Sequence, residues 1–182
     1  FDSVVVEGNS AAANADNLVY DVMAAFYTAC SSFMGQNLGA GKKKRVVKSY
    51  FISLAYAFGI ALVLGICLAL FGREFLSLFT KDDAVIAEAM GRLKIMAFSY
   101  CVSAFMDNTI AASRGLGKSL VPTIIVISGS CVFRIVWIYT IFASTRSLFM
   151  LYLSYPVSWL VTYAANLVCF AITYHRWKKR AL

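Results

Sequence analysis

The chain has 182 residues, of which 60% are hydrophobic and 14% charged, with a mean hydropathy of +0.72. Soluble domains run at about 45–50% apolar and about 25% charged, so an ordinary water-soluble domain is excluded. The formal net charge of +8, from 17 Lys and Arg against 9 Asp and Glu, points either to nucleic acid or to an anionic membrane face, and the placement of the charges decides between them.

A helix needs about 20 predominantly apolar residues to cross hydrocarbon, and five stretches qualify in chain order. Leu18 to Leu38 carries Asp21, Thr28, Ser31, Ser32, Gln36 and Asn37 and reads as a polar-faced span. Ser49 to Gly72 holds no charge and lies between the basic run Lys42, Lys43, Lys44, Arg45, Lys48 and the pair Arg73, Glu74. Thr80-Lys-Asp-Asp83 has the Thr-x-x-Asp form of a capping box, so a third helix is expected from about Asp82, with its span at Leu93 to Ala112. That helix would be about 46 Å long, more than a bilayer core of about 30 Å, which puts Glu88, Arg92 and Lys94 in the interface. Ser119 to Ala143, interrupted by Arg134, and Ser147 to Tyr174, interrupted by Pro156, complete the set. The expected fold class is therefore all-α: a polytopic membrane helix bundle with five transmembrane helices.

Orientation follows from the loops. Eleven Lys and Arg lie after the first span, after the third and in the C-terminal tail, against three in the alternate loops, or five with Arg92 and Lys94. The positive-inside bias then puts the N-terminus outside and the C-terminus in the cytoplasm. Because the basic residues sit at span ends with no nucleic-acid module around them, no nucleic acid is expected as a partner, and the partner of the chain is the lipid bilayer. The first residue is Phe1 rather than methionine, and residues 1–17 lack the form of a signal peptide, so the chain reads as cut from something longer.

Chemistry-bearing residues are sparse. Cys30, Cys67, Cys101, Cys131 and Cys169 are far apart and lie in apolar stretches, which fits small reduced packing residues and no metal site. Gly117-Lys118-Ser119 looks like the end of a phosphate loop, but Ala112 stands where that motif needs glycine and a membrane helix precedes it, so it reads as a tight turn. His175 has no second imidazole, and no nucleophile has a positioned base; an enzyme is not expected and no cofactor is implied.

Charges inside spans cost at least about 2.5–3.5 kcal/mol and so ask for a role. Asp107 lies roughly 10 Å inward from Arg114, among Asn108, Thr109 and Ser103, where a carboxylate can bind a small cation or carry a proton; the bland alternative is a helix–helix hydrogen bond. Asp21 and Arg134 come out level to within a turn, which suggests a structural ion pair between the first and fourth spans. Ala55-x3-Gly59, Gly65-x3-Ala69 and Ser99-x3-Ser103 are small-residue pairs that let membrane helices approach. Pro156 must free one backbone bond, giving a kink that serves packing or a hinge.

Three stretches, in this order and with this topology, resemble the multidrug and toxic compound extrusion (MATE) family. They are Gly8-Asn-Ser-Ala-Ala-Ala-Asn14 running into Ser32-Phe-Met-Gly-Gln-Asn-Leu-Gly-Ala-Gly41, then Met106-Asp-Asn-Thr-Ile-Ala-Ala-Ser-Arg-Gly-Leu-Gly-Lys-Ser-Leu-Val-Pro122, and Cys131-Val-Phe-Arg-Ile-Val-Trp137 followed by Ser154-Tyr-Pro-Val-Ser-Trp159. The resemblance implies twelve spans in two six-helix lobes with a substrate cavity between them, of which this chain would be the last five spans, the N-terminal lobe being absent. It also implies alternating-access export of amphipathic, often cationic organic compounds or drugs across the cytoplasmic membrane, driven by Na+ or H+. Asp107 matches an acidic position before the family's Arg-Gly turn, and Ser103 stands where some members carry a sodium-site aspartate. The coupling candidates are Asp107, Asn108 and Ser103. Tyr20, Phe26, Tyr27, Tyr100 and Phe105 are candidates for a cavity wall that holds a flat cation by cation–π contact. Two other readings remain: a lipid-linked oligosaccharide flippase, which would favour a basic cavity, and a non-transporting membrane interaction subunit.

Overall fold

The computed structural model describes residues 2–180, which form five long helices joined by short turns, with no strand among the described residues. They are α1 (Ser3–Gly39), α2 (Lys43–Leu76), α3 (Asp83–Gly115), α4 (Leu120–Thr145) and α5 (Leu148–Arg180). All but α1 are long and apolar enough to cross a membrane. α1 falls short because its expected span, Leu18 to Leu38, carries Asp21, Thr28, Ser31, Ser32, Gln36 and Asn37, and the residues before it include Asn9, Asn14, Asp16 and Asn17.

The helix α1 begins at Ser3, well before the start of the expected first span. Residues Gly8, Ala11, Ala12 and Ala15 continue the buried stripe of Val19, Met23, Cys30 and Met34, and this stripe lies on α3. The small residues permit a close approach: a Cβ added at Gly8 would come within 2.9 Å of the Val85 carbonyl oxygen. Packing therefore extends the helix beyond the apolar segment.

α3 starts where expected, but the expected Thr80-x-x-Asp83 capping box is not formed, because the Asp83 carboxylate pairs with Arg73 instead. Asp82 is the N-cap and accepts from the Ala84 amide at 2.8 Å, while Thr80 Oγ1 accepts from the Asp82 amide at 3.2 Å. At the other end Gly117 takes φ +76, its amide donates to Arg114 and the Lys118 amide to Ser113, so the Gly-Lys-Ser segment is a helix-closing turn.

α3 is the hub. It packs against α1, α2 and α5, and it carries Ser99, Ser103, Asp107, Asn108, Thr109 and Ser113 buried along its length. A helix with that polar content is tolerable at membrane depth because its neighbours are protein. α2 and α4 instead present Phe51, Val63, Leu70, Ile124, Ile135 and Tyr139 outward, the disposition expected of lipid-facing helices.

Of the small-residue pairs, Gly65 makes a real contact: a Cβ there would meet the Ala97 carbonyl oxygen at 2.2 Å, whereas Gly59 has nothing within 4 Å. α5 stays helical through Pro156. α4 alternates between α-helix and two π-helical stretches, Ile127–Val132 and Ile138–Phe142. These widen its turns and set which residues face α5.

A buried charge cluster and polar cavity between four helices

Arg92 is where the structure departs most from the sequence reading. Expected in the interface beside the exposed Lys94, it is buried, 6% exposed, and faces α1. Its Nη2 pairs with Asp16 Oδ2 at 2.5 Å, its Nη1 donates to the Asn9 side-chain oxygen, and Tyr100 donates its hydroxyl to the other Asp16 oxygen. Asp16 is thus satisfied from two directions, as a carboxylate away from water requires.

The expected Asp21–Arg134 ion pair is not formed. Arg134 donates its Nε to Ser158 Oγ at 2.9 Å and lies over the Tyr155 ring, 4.1 Å from the centroid, with Trp159 at 5.7 Å. Asp21 is exposed, and the ion pairs among the described residues are Arg92–Asp16 and an exposed Arg73–Asp83 contact. Helical rise placed Asp21 at a suitable level, but the acid facing the interior is Asp16, five residues earlier and about 140° around the helix.

Asp16, Asn17, Tyr20, Arg92, Tyr100 and Ser103 meet Arg134, Tyr155 and Trp159 around a cavity of about 190 Å³ between α1, α3, α4 and α5. Of the expected aromatic wall, Tyr20 and Tyr100 are in it. Phe26 instead stacks near Tyr56 at 6.3 Å, and Phe105 packs between Phe58 and Tyr163 at 5.4 and 5.7 Å. Tyr27 lies against Tyr20 at 6.0 Å and within electrostatic reach of Asp107 and Arg114. Sequence reasoning missed Asp16, Asn17, Arg92, Tyr155 and Trp159. Tyr155 and Trp159 flank Pro156 in a motif already singled out, on one face at i and i+4.

Asp107 lies one turn beyond the cavity wall. It is 9% exposed, and Ser103, a member of that wall, donates its hydroxyl to Asp107 Oδ2 at 2.8 Å. No Lys or Arg lies within ion-pair distance among the described residues. Asn108, next in sequence, faces α2 instead: it accepts from Ser53 at 2.8 Å and donates to the Tyr50 carbonyl at 3.3 Å, while Tyr50 and Thr109 share a hydroxyl contact at 3.1 Å. The structure therefore joins Ser103 with Asp107 and separates Asn108 from them as a helix-to-helix clamp. All five cysteines are unpaired, and no cluster of potential metal ligands occurs among the described residues.

A bundle of long apolar helices around a hub with buried charges is a multi-pass membrane protein with a polar interior. The MatE family model matches residues 1–140, and the chain belongs to that family. It is also 26% identical over 112 residues to a Photorhabdus laumondii protein named "Probable multidrug resistance protein NorM", an alignment covering 62% of this chain and 24% of that protein. The chain thus matches about a quarter of the length of that relative.

Proposed function

We propose that this chain is the C-terminal lobe of a two-lobed, cation-coupled antiporter that exports amphipathic, often cationic organic compounds across the cytoplasmic membrane by alternating access. Family membership and the likeness to a protein named for multidrug resistance support export as the activity. The observation that carries the coupling is Asp107: a buried carboxylate with one hydroxyl donor and no basic partner, one helical turn from a polar cavity. Such a group can take up Na+ or a proton, whereas the fully paired Asp16 cannot do so without breaking its contacts with Arg92 and Tyr100. The N-terminus of the chain faces outward and the C-terminus inward in this reading.

A lipid-linked oligosaccharide flippase is the second reading, favoured by the two arginines at the cavity, but about 190 Å³ is small for a sugar head group. The test is export of a fluorescent organic cation from liposomes under an imposed Na+ or H+ gradient, with the chain alone and with the N-terminal lobe supplied. Gradient-driven export in either preparation supports the proposal and identifies the ion. No export in both would move the reading to a non-transporting interaction subunit.

A further inference from the structure

The cavity carries more positive than negative charge, an unexpected lining for an exporter of simple cations. Its charged side chains are Arg92, Arg134 and Asp16. The guanidinium carbons of Arg92 and Arg134 lie 5.4 and 4.1 Å from the same Tyr155 ring centroid. The two like charges therefore sit within roughly 10 Å of each other. Asp16 is engaged by Arg92 and Tyr100, which leaves Arg134 with no carboxylate within 4 Å among the described residues.

Arg134 is also held in place. Its Nε is spent on Ser158, and that hydroxyl is itself anchored to the Tyr155 carbonyl at 2.8 Å. The aromatic faces of Tyr155 and Trp159 support the guanidinium plane. Among the described residues the two terminal nitrogens make no hydrogen bond, so a fork suited to a planar, bidentate anion remains open. Arg92 independently keeps its Nε–H buried without an acceptor at the same cavity. Two guanidiniums with unmet donors, one engaged acid and aromatic walls make a site for an anion with a flat apolar body.

We propose that this cavity is an anion subsite in which Arg134 is the residue that binds the carboxylate of an aromatic ligand. The binding stands on the geometry of the cavity and does not rest on the export reading. At about 190 Å³ the cavity takes one acid-bearing ring. Whole drug-sized ligands occupy about 300–1,000 Å³, so the rest of a larger substrate lies outside it.

The test is calorimetric titration of the 182-residue chain in lipid nanodiscs with benzoate, and with benzylamine as its cationic counterpart. Saturable heat with benzoate and none with benzylamine is expected. Arg134→Gln should weaken benzoate by about tenfold or more, Arg134→Lys should retain part of the affinity, and Arg146→Gln, in the exposed α4–α5 turn, should change nothing. Equal binding of the two probes, no benzoate binding, or unchanged affinity in a folded Arg134→Gln variant would overturn the proposal. Should Arg134→Gln fail to fold, the benzoate-to-benzylamine comparison on the unsubstituted chain decides alone. Export of organic cations without benzoate binding would remove this site and leave the transporter reading. Benzoate binding without export in either liposome preparation would do the reverse.

Discussion

The two acids of the interior differ in what surrounds them, and the roles proposed for them follow that difference. Asp16 is closed in by Arg92 and Tyr100, whereas Asp107 has the Ser103 hydroxyl and no Lys or Arg within ion-pair distance among the described residues. Asp107→Asn in the two-lobed transporter should therefore reduce ion-driven export at least about tenfold, by removing a charge-assisted contact with the coupling ion, while membrane insertion stays unchanged. Full export in that variant, measured in the same liposomes, would refute the coupling role. Asp16 should behave as a structural group: Asp16→Asn leaves Arg92 buried without a counter-charge, and loss of about 3–5 kcal/mol is expected on thermal unfolding in detergent. Replacing both residues together, as Asp16→Leu with Arg92→Leu, should cost less than the single change because no buried charge is left unpaired. Neither role was legible one residue at a time. Helical rise gives a level along the helix axis for Asp107 and Asp21, but it does not say which way a side chain faces, and the pairing partner of Asp16 lies 76 residues away.

At the scale of elements, close approach is concentrated at a few small residues. Gly65 on α2 sits against the backbone of Ala97 on α3, while Gly59 on the same helix meets nothing. Gly65→Leu should lower the melting temperature markedly, with overpacking worth about 1–3 kcal/mol or more, and Gly59→Leu should leave it nearly unchanged. Similar melting temperatures for the two variants would contradict the packing described for α2. α4 shows why a period of 3.6 was insufficient for reading its face. Gly129 abuts Thr162 and Arg134 bonds Ser158, both on α5, although five residues separate them and an ideal α-helix would turn them about 140° apart. The π-helical stretch Ile127–Val132 restores them to one face. Hydropathy alone located α4, but the backbone irregularity that aims Arg134 leaves no mark in composition.

For the molecule as a whole, the number of long helices, the charge-poor α2 and the polar character of α3 were all readable from hydropathy and from the basic runs. What was not readable is that α3 stands at the centre, since polarity alone fits a lining helix equally well. The proposed orientation makes a direct prediction. On a background without the five native cysteines, Lys81→Cys should react with a membrane-impermeant maleimide added to intact cells and Lys44→Cys should not; both positions are exposed at helix ends. The reverse pattern would invert the topology. The central position of α3 also sets an order of assembly. Released alone into lipid, a helix with Arg92 and Asp107 would incur a cost for each charge held in hydrocarbon, reaching about 2.5–3.5 kcal/mol at the bilayer centre. α1 brings Asn9 and Asp16 to Arg92, α2 brings Ser53 and Tyr50 to Asn108, and both are synthesised before α3 emerges. The early helices thus act as the solvent in which the third is laid down, and during biosynthesis the growing protein replaces lipid as the medium for its own most polar segment.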